Sequence, residues 1–223
     1  MKLRFIFFYT LRNLSRVLFG RNFLFRNNIA KNIYLSLASI VHFFSLDHRK
    51  QAKWEIENPD APWLVPKAVV FIENWLKKEM KGFEFGSGRS TKWFANKISF
   101  YYSIEGDFRW YNKIKDENKI NVKNGKCKII YKDAGNQINI ELDKKEKYTN
   151  ALADFKDSYF DFGLIDGHHR LECLEKSLNK VKNGGILIVD NTDAIDGIKK
   201  YFKKYKFSKF SNGISETTII YKK

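Results

Sequence analysis

Four short stretches of the chain carry residue types that could do chemistry. In FEFGSGRST, residues 83–91, Glu84 stands two positions before Gly86, and Gly86-Ser87-Gly88 sets two glycines one residue apart. Glycines there let the backbone approach a ligand closely, and a helix opening near Ser90 offers unsatisfied N–H groups. A pyrophosphate would be repelled by a carboxylate beside the turn, so Glu84 implies a ligand that is cationic in that region. Glu105 closes FYYSIE, 17 residues after Gly88, where a carboxylate can accept both hydroxyls of a ribose. FDFGLIDGHHR brings Asp166, Gly167, His168 and His169 together, and NGGILIVDN brings Asp190 and Asn191. Acids, an amide and imidazoles in one crevice suit the removal of a proton.

These groups meet only if the elements that carry them end at the same place. From residue 82 onward, short β-rich runs alternate with helical patterns: FEF, a helix from Ser90, FYYSIE, a helix from Asp107, CKIIY, a helix around Tyr148–Phe155, FDFGLID, a helix from Arg170, GILIVD, and a helix from Asp193. Leu171, Leu174, Leu178 and Val181 mark one buried stripe of the helix after FDFGLID. Strands separated by helices require right-handed crossovers and a mainly parallel sheet. The ligand crevice of such a sheet lies beyond the carboxyl ends of its strands, where all four stretches end. FKFSKF and TTIIY, joined by Ser211-Asn212-Gly213, predict an antiparallel hairpin at the sheet edge. Before the first strand, WLVP leads into a helical run over Lys67–Lys78 with apolar Val70, Trp75 and Leu76. DHRKQAKWEIENPDAP reads as a polar connection closed by prolines.

Hydrophobic residues make up 43% of the 223, enough to bury a domain core, and the net charge is +16. The first 50 residues hold nine Lys or Arg against Asp47 alone, so half of that charge lies in under a quarter of the chain. Leu3, Phe7, Leu11, Leu14 and Leu18 recur at helical spacing while Arg12 and Arg16 fall on another face, which predicts a basic amphipathic helix. A second apolar segment covers Ile33–Phe44, and the charge-free run Asn32–Leu46 is only 15 residues, short of a bilayer span. Two organisational units follow, a helical appendage over 1–58 and a domain over 59–223. The appendage either packs its leucine stripe on protein or lies on an anionic membrane surface through residues 1–45. Two cysteines with no C-x-x-C pair, and no secretory signal, fit a cytoplasmic protein, at most peripheral at the inner membrane face.

Glu84-Phe85-Gly86-Ser87-Gly88-Arg89-Ser90 resembles the first motif of class I S-adenosylmethionine-dependent methyltransferases. Glu105, FDFGLIDGHHR and NGGILIVDN fall in that family's order. The resemblance covers residues 60–223, with APWLVP and ETTIIYKK similar to stand-alone bacterial members. It implies a Rossmann-like α/β fold with a seven-stranded sheet. It also implies S-adenosylmethionine as cofactor, its methionine end against Glu84, Phe85, Gly86, Ser87, Gly88, Ser90 and Asp166, and its ribose on Glu105. Asp166, Asp190 and Asn191 further resemble the magnesium ligands of catechol-type O-methyltransferases. That family's lysine base falls at His169, a departure that leaves His169, His168 and Asp166 as candidates for proton removal and favours a metal-free site. The implied reaction is methyl transfer, O-methylation of a small-molecule or glycan hydroxyl being the first expectation.

Two other classes compete. A Rossmann NAD(P)-dependent oxidoreductase is disfavoured by Glu84 and by Thr91, which stands where a third glycine belongs. A basic nucleic-acid-binding or membrane-binding module on a non-catalytic nucleotide fold would use the +16 charge, yet no nucleic-acid motif occurs.

Overall fold

The structure is a computed structural model and describes residues 46–135, 141–213 and 215–223. The basic helix expected over Leu3–Leu18 and the apolar segment Ile33–Phe44 lie outside them. The first described element, α1 (Leu46–Glu57), covers most of the expected polar connection. Its Lys, Glu, Gln and Ala are strong helix formers. The pairs Gln51–Glu55 at 2.8 Å and Lys53–Glu57 at 3.7 Å support it at helical spacing, and Pro59 follows its end. No helix among the described residues is long and apolar enough to cross a membrane.

Residues 58–223 form a separate unit. It opens with α2 (Pro66–Trp75), which has proline in its first turn and buries Ala68, Val69 and Ile72. Val70, expected on the apolar face, is 52% exposed. The elements that follow are β1 (Lys81–Phe85), α3 (Arg89–Ala95), β2 (Phe100–Glu105), α4 (Phe108–Glu117), α5 (Lys119–Lys123) and β3 (Cys127–Tyr131). Then come α6 (Leu142–Thr149), β4 (Phe160–Ile165), α7 (Arg170–Ser177) and β5 (Val181–Asp190). A 3₁₀ turn (Thr192–Ala194), α8 (Lys199–Lys204), β6 (Phe207–Ser211) and β7 (Glu216–Tyr221) complete the unit.

The strands form one seven-stranded sheet in the order β3-β2-β1-β4-β5-β7-β6. β3, β2, β1, β4 and β5 pair in parallel, and β7 runs antiparallel between β5 and β6. This is the expected α/β fold with its C-terminal hairpin. The order reverses between β1 and β4, so the crevice of a doubly wound sheet falls at their carboxyl ends. Three helical expectations shift. α6 starts six residues earlier than expected, because Leu152 and Phe155 pack into the core from turns rather than from a helix. Val181 belongs to β5, not to the stripe of α7. The helix expected from Asp193 is the 3₁₀ turn, followed by the separate α8.

The central strands are nearly continuous apolar runs, as burial on both faces demands. Two interlocks set their spacing. Gly82 pairs with Phe162 and Phe83 with Gly163 across β1 and β4, and a Cβ on either glycine would fall inside the opposite ring. Phe83, Phe85, Phe160, Ile165, Leu187 and Val189 belong to the core beside them.

Candidate active site

Glu84 interrupts the apolar run of β1, and its register partner on β2 is Ser103. The carboxylate is 0% exposed. Four hydroxyls donate to it: Ser103 at 2.6 Å and Thr91 to Oε1, Ser90 at 2.7 Å and Tyr101 at 3.2 Å to Oε2. Burial pushes its pKa up to about 7 against the pull of these bonds. Ser90 is turned inward with Glu84, and the pair underlies the glycine turn. Both groups spend these hydrogen bonds under the turn, a supporting part beside the contact expected with the methionine end. Thr91, where a dinucleotide fold has glycine, does two tasks, donating to Glu84 and accepting from the Gly88 N–H at 3.0 Å.

The turn itself sits on the crevice. Gly86 has φ +90° and lies so close to the next loop that a Cβ would stand 2.7 Å from Gly167 Cα. The Phe85 ring is buried edge-on to Tyr148, leaving only its backbone at the turn, where the Phe85 carbonyl accepts from the Asp166 N–H at 2.9 Å. Ser87 is held from both sides. Its carbonyl accepts from the Trp110 indole at 2.8 Å, and its N–H and hydroxyl donate to Glu105 Oε2 at 2.8 and 2.6 Å. Glu105 Oε1 accepts from the N–H groups of Gly106 and Asp107 at 2.7 and 2.8 Å. A carboxylate has about four lone-pair sites, so every one on Glu105 is engaged and a ribose hydroxyl would take the place of Ser87.

The two histidines point to the β2 and β3 side. His168 lies against Gly106, its Cδ2 3.0 Å from where a Cβ would stand, and edge-on to Tyr148. Burial lowers its pKa, with Glu105 opposing. His169 heads α7 in the left-handed region, φ 49°, and its Nε2 lies 2.8 Å from the Ala134 carbonyl. A carbonyl only accepts, so Nε2 carries the hydrogen and Nδ1 holds the lone pair in the neutral ring.

On the β4–β5 side stands Arg170, which the sequence reading passed over. Its Nε donates to the Gly167 carbonyl at 3.0 Å, and Nη1 to the Asp190 carbonyl at 2.6 Å and Asn191 Oδ1 at 3.0 Å. Nη2 donates to the Asp166 carbonyl at 2.9 Å and is ion-paired with the Asp166 carboxylate at 2.8 Å. Asp190 is 4% exposed, accepts from the Thr217 hydroxyl at 2.6 Å, and has Nη1 of Arg170 at 3.8 Å. Burial raises the pKa of both Asp166 and Asp190, against the pull of the guanidinium. Asp166 keeps 29% of its side chain exposed. Magnesium is not supported here, because Arg170 already takes oxygens of Asp166, Asp190 and Asn191. Among the described residues no group of three or more acidic, His or Cys side chains could hold a metal ion.

No family model and no curated protein matches the chain. Solved structures do. A methyltransferase from Geobacter sulfurreducens superposes with a TM-score of 0.53 at 12% identity, covering 84% of this chain and 96% of that one. An rRNA methylase from Streptococcus thermophilus gives 0.51 at 15% identity, covering 68% and 92%. The precorrin-6y C5,15-methyltransferase of Geobacter metallireducens GS-15 gives 0.50 at 14% identity, covering 73% and 93%. With the strand order, the antiparallel β7 and the Gly86–Gly88 turn in place, residues 58–223 carry the fold of class I S-adenosylmethionine-dependent methyltransferases.

Proposed function

We propose that the protein is an S-adenosylmethionine-dependent methyltransferase that methylates a hydroxyl of a small molecule or glycan. The observation that carries this is Glu105, which ends β2 beside β1 and holds the Gly86–Gly88 turn against the crevice. The residues fit the cofactor. Glu105 offers a ribose its acceptor oxygens in the place the Ser87 hydroxyl holds, while the glycine turn and Asp166 edge the methionine end. Bound there, the cofactor supplies a methyl group on a cationic sulfur. The chain then has to orient an acceptor and remove its proton. Asp166 suits proton removal: it is part-exposed, raised in basicity by burial, and fixed by Arg170. The bond from His169 to Ala134 favours an orienting part for that ring rather than the base expected from sequence.

The acceptor would enter beside Asp190. The Val65 N–H donates to Thr217, the residue bonded to Asp190, which sets the 63–65 segment at that end of the sheet. There Trp63 is 57% exposed, with the Arg89 guanidinium 4.8 Å over its ring. An aromatic face beside a cation suits a hydroxylated ring bearing negative charge. Calorimetry with S-adenosylmethionine and with NAD⁺ tests the cofactor, and NAD⁺ binding alone overturns the reading. A screen with methyl-labelled donor then finds the acceptor. On that acceptor, Asp166→Asn should lower kcat by roughly 10²–10⁴ and remove the acidic limb of the pH–rate profile. A full-rate Asp166→Asn enzyme returns the task to His169.

A further inference from the structure

We propose that Arg170 is a built-in cation, occupying the place between the ends of β4 and β5 that a divalent ion would otherwise need. The inference concerns the site assigned above and rests on the methyltransferase reading only for its catalytic consequence. A guanidinium has five N–H donors. Four hydrogen bonds run from it here, to the carbonyls of Asp166, Gly167 and Asp190 and to Oδ1 of Asn191, and Nη2 is ion-paired with the Asp166 carboxylate. With its donors turned to these strand-end oxygens, Arg170 is a tie between two strand ends.

The same oxygens argue against a metal. Mg²⁺ demands a near-octahedral shell of hard oxygens at short, fixed distances. Asp166, Asn191 and the backbone at Asp190 have turned theirs to a planar, permanently charged group, and Asp190 Oδ1 faces Thr217. An added ion would compete for those lone pairs and be repelled by a positive charge that cannot be titrated away. The guanidinium also does what a metal would do for structure. It neutralises the nearly buried Asp190, ties down Asp166, and satisfies three carbonyls at the rim of the crevice. Arg170 opens α7 four residues after Asp166, and the turn between them, with His169 in the left-handed region, delivers it there.

The test uses full-length protein and two readouts that need no activity. Manganese ion is titrated and followed by its paramagnetic resonance, and thermal unfolding is recorded with magnesium and with chelator. Wild type is expected to show no saturable manganese binding and an unfolding temperature indifferent to either addition. Saturable binding that Asp166→Asn or Asp190→Asn removes would overturn the proposal. In Arg170→Ala, the uncompensated carboxylates should lower the unfolding temperature by roughly 6–15 °C, partly restored by methylguanidinium but not by potassium. An unchanged unfolding temperature in that variant also overturns it. Should Arg170→Ala fail to fold, the wild-type titration decides alone. S-adenosylmethionine affinity, measured in parallel by calorimetry, reports separately on the function reading: its absence with no manganese site sinks that reading and leaves the built-in cation standing.

Discussion

At the scale of the residue, Glu84 shows how far a motif's chemistry depends on which way a side chain turns. Its four hydroxyl donors do not cancel the desolvation of a fully buried carboxylate, hence the rise to about 7. The sign follows from the pKa being higher folded than unfolded. The neutral form is favoured in the folded state, so its contribution is complete below about 4.5 and is lost as pH rises through about 7. Denaturant unfolding from pH 5 to 8 should therefore show wild type losing about 2–3 kcal/mol that Glu84→Gln does not lose. Parallel pH profiles for the two proteins would mean the carboxylate stays ionised. Glu105 behaves otherwise, since it reaches the crevice through Ser87. Glu105→Gln should weaken S-adenosylmethionine binding by about 1–3 kcal/mol in calorimetry, and undiminished affinity would remove the ribose assignment.

At the scale of the element, β1 and β4 are fitted ring against glycine. Gly163 is not in the positive-φ region, so its requirement is space for the Phe83 ring, which is held edge-on by Phe85 and Phe160. Gly163→Ala should lower stability by about 1–3 kcal/mol, or roughly 2–12 °C in unfolding temperature for a unit of this size. A variant that melts with wild type would show that the ring has room to move. The pairing matters to the site because β1 and β4 carry Glu84, the glycine turn and Asp166. Prising those strands apart would loosen the Phe85–Asp166 bond across their ends.

At the scale of the whole molecule, charge is the leading feature. Half of the +16 falls in the first 50 residues, and an apolar helical stripe flanked by arginines there has the pattern of a membrane-surface helix. That expectation is tested on vesicles. The full chain should co-sediment with anionic vesicles more than with neutral ones, and a chain lacking residues 1–45 should not. Equal sedimentation of both chains removes the membrane proposal and leaves packing on protein.

How much was legible follows from the range of the interactions. Period and punctuation are local, so the alternation of strands and helices from residue 82, the C-terminal hairpin and the strand-end positions of Glu84, Glu105, Asp166 and Asp190 could be read directly. Composition misled where residues serve elements they do not belong to, as Leu152, Phe155 and Val181 do. What the side chains do at the site needed the tertiary structure, because each answer joins residues far apart in the chain. Ser103 meets Glu84 through register, His169 meets Ala134 across a crossover, and Thr217 meets Asp190 from an antiparallel neighbour. Arg170 is the clearest case. Its spacing from Asp166 is visible in the sequence, but that its guanidinium finds Asp190 and Asn191 depends on β4 and β5 ending side by side. Local sequence was enough to place Glu105, Asp166, Asp190 and Asn191 at the strand ends. Only the folding of the sheet decided that Glu84 would be buried beneath it and that a guanidinium would stand among the oxygens that the catechol-type pattern gives to a metal.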